Sequence, residues 1–220
     1  MIEVTKMNCD YVLQYLEKME VPVVSKKNHD IIMCGLEKMI FLKEGIVKVS
    51  TMLEDGREYN ITYIKGPDLL SLMCDTLRED VSYRTRIRVV SEEASFCLIS
   101  REDFFRTARQ DDKLKDYVEA YYRENLQRAL YRQKCMTMNG KSGAVYSFLY
   151  NLIPLFGKEC REGILIDVQV TNDDIAGFCG ISTRNSVNRI LRGLREENVI
   201  RTVDNKILIL NAEYLKPYAD

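Results

Sequence analysis

The apolar positions of the chain change their period several times. Between Asp10 and Glu20 they return every three or four residues, with Val12, Leu13, Leu16 and Met19 on one side, and Pro22 closes this predicted helix. From Ile31 to about Ile99 the pattern is β-rich. Met39–Leu42 and Ile46–Leu53 flank Glu44-Gly45, and Glu54-Asp55-Gly56 is a hairpin turn before Glu58–Ile64. Val47, Val49 and Thr51 alternate, as do Tyr59, Ile61 and Tyr63, which predicts half-buried strands. Gly66-Pro67-Asp68 ends that run, and Arg86–Val90 and Ala94–Ile99 supply two more strands. Many short antiparallel strands with glycine turns predict a roll or barrel.

Arg109–Met138 contains neither Pro nor Gly and would span about 45 Å as a helix. Leu114, Val118, Tyr121 or Tyr122, Leu126, Ala129, Gln133 and Met136 recur along it at spacings of three and four, the stripe of a helix that pairs with its own copy. The competing reading is a core helix of one subunit, since the stripe is impure. Asn139-Gly140 breaks it and is a candidate hinge. Val145–Phe156 reads as a short apolar helix and Gly163–Val168 as a strand.

Two short helices around a tight turn follow. In Asp173–Cys179 the apolar residues are Ile175, Ala176, Phe178 and Cys179. Thr171 stands at the N-cap with Asp174 three positions on, a capping box with Asp where Glu or Gln is usual. Gly180-Ile181-Ser182 makes the turn. In Thr183–Glu197, Val187, Ile190, Leu191 and Leu194 share one face, while Asn185, Arg189 and Arg192 fall on the opposite one with Asn188 nearby. Such a face suits the DNA major groove, where Arg forks onto guanine O6 and N7 and Asn onto adenine N6 and N7. The competing reading is an amphipathic helix with a solvated basic face. Val199–Val203, Asp204-Asn205 and Lys206–Leu210 then read as strand, turn and strand, so the segment is a winged helix-turn-helix.

Composition narrows the classes. The 220 residues are 46% hydrophobic and 30% charged, which is ordinary for a globular chain. No apolar run approaches the 18 or so residues that cross a bilayer, and the acidic N-terminal stretch lacks the order of a signal peptide, so a cytoplasmic protein without a membrane partner is expected. The net charge of −1 does not announce nucleic acid, yet Thr183–Lys206 holds six basic residues against three acids. The seven cysteines are odd in number and form no C-x-x-C pair, so no disulfide framework, zinc ribbon or iron–sulfur cluster is predicted; buried reduced thiols are. Gly140-Lys141-Ser142 is not a phosphate loop, because Cys135 stands where the first glycine belongs. The one histidine, His29, sits between Asn28 and Asp30 in a loop, and no catalytic constellation or metal site accompanies it, so an enzyme is not expected.

The pattern T-x-x-D-I-A-G-F-C-G-I-S-x-x-x-x-V-x-R-I-L-x-x-L-x-x-x-x-V-I, from Thr171 to Ile200, resembles the Crp/Fnr family of transcription regulators. With one extra residue between Ser182 and Val187, and with Asn139-Gly140-Lys141, Phe156-Gly157-Lys158-Glu159 and Tyr214-Leu215-Lys216-x-Tyr218-Ala219, it looks most like the PrfA branch. The resemblance implies an α+β chain: an N-terminal antiparallel β-roll of cyclic-nucleotide-binding type (1–108), a dimerisation helix (109–138) and a winged helix-turn-helix DNA-binding domain (139–220). It also implies a homodimer on an inverted repeat of double-stranded DNA, working with RNA polymerase. Arg189 matches the family's guanine-reading arginine. Arg184, Asn185, Ser186, Asn188, Arg192 and Thr183 are further candidates for DNA contact, and Thr171 and Ser182 for phosphate contact at the helix starts.

The resemblance to the oxygen-sensing branch stops at the fold, since the N-terminal cysteine cluster is missing. Binding of cyclic AMP is not expected. Within GPDLLSLMCDTLREDVSYRTRIRVV there is no Gly-Glu pair, and Arg84-Thr85 is the stretch's sole Arg-Thr, with Arg84 and Arg86 read as a solvated strand face. The PrfA likeness implies a small effector such as glutathione, with Tyr63, Lys65, Asn125 and Arg128 as candidate pocket residues, although Pro67 and the Glu124–Arg128 helix positions depart from that pattern. The alternative is an effector-binding interaction module whose winged helix meets protein instead of DNA; the Arg/Asn face argues against it.

Overall fold

The computed structural model of the chain describes residues 9–33, 37–74 and 85–219. Cys34, Arg84 and the side chain of Cys74 lie outside that set. The chain divides into two compact units, Ile2–Arg128 and Ala129–Asp220, each considered by itself.

The first unit opens with helix α1 (Asp10–Lys18), which buries Val12 and Leu16. It stops short of Glu20 and Pro22, because Glu20 takes a left-handed φ of 52° and the Val21 N–H turns back to the Leu16 carbonyl. Eight strands follow: β1 (Val23–Lys27), β2 (Ile31–Met33), β3 (Lys38–Glu44), β4 (Ile46–Met52), β5 (Glu58–Lys65), β6 (Asp68–Leu69), β7 (Thr85–Val89) and β8 (Glu93–Ser100). They form two antiparallel sheets, ordered β1-β8-β3-β6 and β2-β7-β4-β5.

Glu44-Gly45 marks a change of sheet. β3 and β4 flank it but pair in different sheets, and the chain crosses between the sheets there. Gly45 has φ +102°, and a Cβ on it would stand 2.6 Å from the Ala94 Cβ, so the crossing needs glycine. Between the sheets lie Ile40, Leu42, Val47, Val49, Ile64, Ile87, Val89 and Phe96. Met39 and Phe41 point the other way, into a second core with α1. β3 is thus buried on both faces, which is why Met39–Leu42 is a continuous apolar run. The expected alternation in β4 and β5 is interrupted by a bulge at Val49/Ser50. Lys48 is only 2% exposed and pairs with Glu58 at 3.1 Å; the Ser50 hydroxyl donates to the same carboxylate at 2.6 Å.

The helix expected over Arg109–Met138 is α3 (Asp112–Met138), and a further helix that the sequence did not announce, α2 (Arg101–Ala108), precedes it. Asp111 makes the break. Its Oδ1 accepts from the backbone N–H groups of Lys113 and Leu114 at 3.0 and 3.1 Å, capping α3, and its other oxygen accepts from the Tyr11 hydroxyl. The apolar stripe of α3 also divides. Leu114, Tyr117 and Tyr121 belong to the core with α1, α2 and β3, whereas Tyr122, Leu126 and Leu130 are 43%, 62% and 58% exposed.

In the second unit, α4 (Gly140–Phe156) begins five residues before the expected Val145, and Val145, Leu149 and Leu152 enter its core. β9 (Gly157–Cys160), not expected from the sequence, and β10 (Gly163–Ile166) form a hairpin. The helices α5 (Asn172–Cys179) and α6 (Arg184–Glu196) follow, then β11 (Ile200–Val203) and β12 (Lys206–Ile209), giving a sheet ordered β11-β12-β10-β9. Asp204 and Asn205 both take positive φ, the two-residue turn expected of this hairpin. Helix α7 (Ala212–Leu215) and the tail pack back. Tyr218 meets Tyr146 edge-on at 4.9 Å, and the Asn139 amide donates to the Tyr218 carbonyl. The motif residues near Tyr214 and Asn139 thus hold the start of α4.

Candidate nucleic-acid interface

The turn between α5 and α6 is built from local capping. The Asp174 N–H donates to the Thr171 Oγ1 at 3.0 Å, and the Thr171 N–H and hydroxyl both donate to the Asp174 carboxylate. The capping box is complete, and the Thr171 hydroxyl is engaged in it. Gly180 closes α5 with φ +62°, a left-handed conformation that costs other residues free energy. Ile181 then turns into the core, leaving Ser182 exposed. Thr183 caps α6 by accepting from the Ser186 N–H, and the two hydroxyls lie 2.8 Å apart.

α6 has the two faces the sequence predicts. Val187, Leu191 and Leu194 are buried, Ile190 is half-buried, and Arg184, Asn185, Asn188, Arg189 and Arg192 are exposed. Most of the cations here are held by acids. Arg184 lies 3.9 Å from Asp173, Arg192 bonds Glu196 at 2.8 Å, Arg201 pairs with Glu162 and Lys206 with Asp167. Hydrogen bonds from Lys158 and then Lys206 hold the Asp167 carboxyl at about 2, so both lysines are committed to it. Among the described residues of the six basic ones in Thr183–Lys206, Arg189 and Arg195 have no ion pair. The exposed pairs of Arg184 and Arg192 are weak enough to open to a phosphate.

A cleft of about 270 Å³ runs between α4 and α6, lined by Lys141, Ser142 and Tyr146 on one side and Ser186, Arg189, Ile190 and Gly193 on the other. Neither Lys141 nor Ser142 is among the residues expected from the sequence to meet DNA. No local signal could have placed them beside Arg189, 48 positions away for Lys141. They add a cation and a hydroxyl next to the exposed face.

The cysteine expectation is met only in part. Cys9, Cys97, Cys135 and Cys179 are buried and free, but Cys160 is exposed on β9. Burial pushes the Cys179 thiol up to about 12. The candidate effector residues are dispersed in their roles. Tyr63 is buried, Lys65 is exposed, the Asn125 amide donates to the Tyr121 carbonyl of its own helix, and Arg128 lies 3.6 Å from Glu124. Among the described residues no group of acids, cysteines and histidine could hold a metal ion, and no helix is long and apolar enough to cross a membrane.

A β-roll, a long helix and a winged helix-turn-helix with an exposed Arg/Asn face define a DNA-binding regulator. A Crp-like helix-turn-helix domain is matched over residues 144–218. The lactate racemization regulatory protein of Lactiplantibacillus plantarum is 44% identical over 209 residues, 94% of this chain and 95% of that protein. The listeriolysin regulatory protein of Listeria monocytogenes is 29% identical, over 83% of this chain and 77% of that protein. In fold, the chain is similar to FixK2 from Bradyrhizobium japonicum (TM-score 0.72, 17% identity, 91% of this chain and 98% of that one). It is similar too to a CRP-family transcriptional regulator from Thermus thermophilus (TM-score 0.70, 21% identity, 89% and 96%). The chain belongs to the Crp/Fnr family of transcription regulators.

Proposed function

We propose that this regulator acts in the cytoplasm as a homodimer on an inverted-repeat operator, each subunit laying α6 in a major groove, without control by cyclic AMP. The observation that carries the reading is the exposed Arg189 guanidinium, free of acids among the described residues and flanked by Asn185 and Asn188, over a buried Val187/Leu191/Leu194 face. Tyr122, Leu126 and Leu130, bare along α3, support pairing with a second copy. Two α6 helices about one DNA turn apart would read half-sites of matching spacing. Contact with RNA polymerase is part of this reading.

Of the two named relatives, the lactate racemization regulator is the more similar, which favours its kind of target, genes for racemising lactate, over that of the listeriolysin regulator. A small effector such as glutathione would be met by Tyr63, Lys65, Asn125 and Arg128; millimolar glutathione producing no heat in a calorimetric titration counts against it.

The test is selection of bound fragments from a random duplex library, followed by fluorescence anisotropy at two salt concentrations. Recovery of an inverted repeat preferred by orders of magnitude is the expected result. Arg189→Ala should lose about 1–3 kcal/mol of operator binding and relax one base pair per half-site. Binding that is weak, steeply salt-dependent and indifferent to sequence would mean phosphate attraction alone.

A further inference from the structure

The last carbonyls of a helix have no partner within it and favour a cation. At the end of α5 one of these, on Phe178, accepts from the Arg132 guanidinium of α3 at 2.6 Å. The same guanidinium lies 5.5 Å from the centroid of the Phe178 ring, within cation–π range. That ring stacks on Phe148 of α4, with centroids 4.8 Å apart and planes at 25°. One turn along α3, the Met136 methyl sits 3.1 Å from where a Cβ on Gly180 would stand. Residues 132 and 136 share a helix face, so one face of α3 grips the end of α5 and the glycine that aims α6.

Packing alone would be served by an aliphatic side chain. An arginine adds direction, because its planar fork fixes the angle at which a carbonyl and a ring are met. We infer that Arg132 is a positioning residue for DNA reading: it sets the aim of α6 through the Phe178 carbonyl and ring, and makes no contact with DNA itself. This rests on the DNA-binding reading above.

The experiment uses the full chain and two duplexes, the selected inverted repeat and a scrambled sequence of equal length. R132M keeps a stem over the ring but loses the donor and the charge; R132K keeps a cation and a donor. R132M should bind the inverted repeat at least tenfold more weakly than wild type while binding the scrambled duplex equally well with an unchanged salt slope. R132K should recover to within about threefold of wild type. An R132M that discriminates as wild type does, or that weakens equally on both duplexes, overturns the inference while leaving the DNA reading intact. A wild-type chain that cannot tell the duplexes apart sinks the DNA reading and this inference with it. If R132M lacks a cooperative thermal transition, R132Q is judged by the same criteria.

Discussion

Asp68 shows how one side chain can set a pH dependence. It lies at the start of β6, and burial raises its carboxyl from the usual 3.8 to about 6, against the opposing hydrogen bond from the Leu69 N–H and the charge of Arg128. A folded value above the unfolded one contributes stability that is fully present below about pH 4 and lost as pH rises through about 6. Asp68→Asn should therefore gain roughly 1–3 kcal/mol over wild type at pH 7.5 and about a third of that at pH 4.5, measured by urea unfolding at both values. Equal differences at the two pH values would show that the carboxyl does not titrate in this window. The cysteines give a second reading at this scale. With native protein and brief alkylation, peptide mapping should find Cys160 modified and Cys179 untouched, since the latter is buried and its thiol stays protonated. Labelling of Cys179 ahead of Cys160 would contradict the burial.

At the scale of elements, Gly180 joins α5 to α6 in a left-handed conformation, and the Met136 methyl leaves little room at its Cβ position. Gly180→Ala should cost about 1–2 kcal/mol of stability, read from the urea midpoint. A variant as stable as wild type would mean that the turn accommodates a side chain freely. This turn was legible in the sequence because its determinants are local: a cap at Thr171, a glycine after Cys179 and a second cap at Thr183. Helix α2 and the cap that sets it off from α3 were not. Nothing in Arg101–Met138 punctuates the chain as Pro or Gly would, and Asp111 acts as a cap only because Tyr11 and the α3 amides gather around it. β1 and β9 escaped notice for a related reason. Both are edge strands and largely exposed, and neither Val23–Lys27 nor Gly157–Cys160 carries an alternating run of apolar residues. The place of Lys141 beside Arg189 is tertiary and has no trace in local spacing.

Over the whole molecule, the apolar stripe on the long helix was visible, but its division was not. Leu114, Tyr117 and Tyr121 are spent on the core of their own subunit, while Tyr122, Leu126 and Leu130, with Met138 at the end of the helix, stay exposed. If these form the homodimer seam, Leu126→Glu with Leu130→Glu should yield monomer by light scattering, with the thermal midpoint little changed and specific operator binding lost. A dimer that survives both charges would move the seam elsewhere. The helix also bears on how the protein can be cut into parts. Tyr131 donates to the Ala219 carbonyl, and Arg132 to that of Phe178, from the part of α3 that begins at Ala129. A fragment begun at Asn139 would strand both carbonyls and bare the Phe178 ring. Begun at Ala129 it carries its own splint, and is the shorter piece of the chain that should be expressed to crystallise with a half-site.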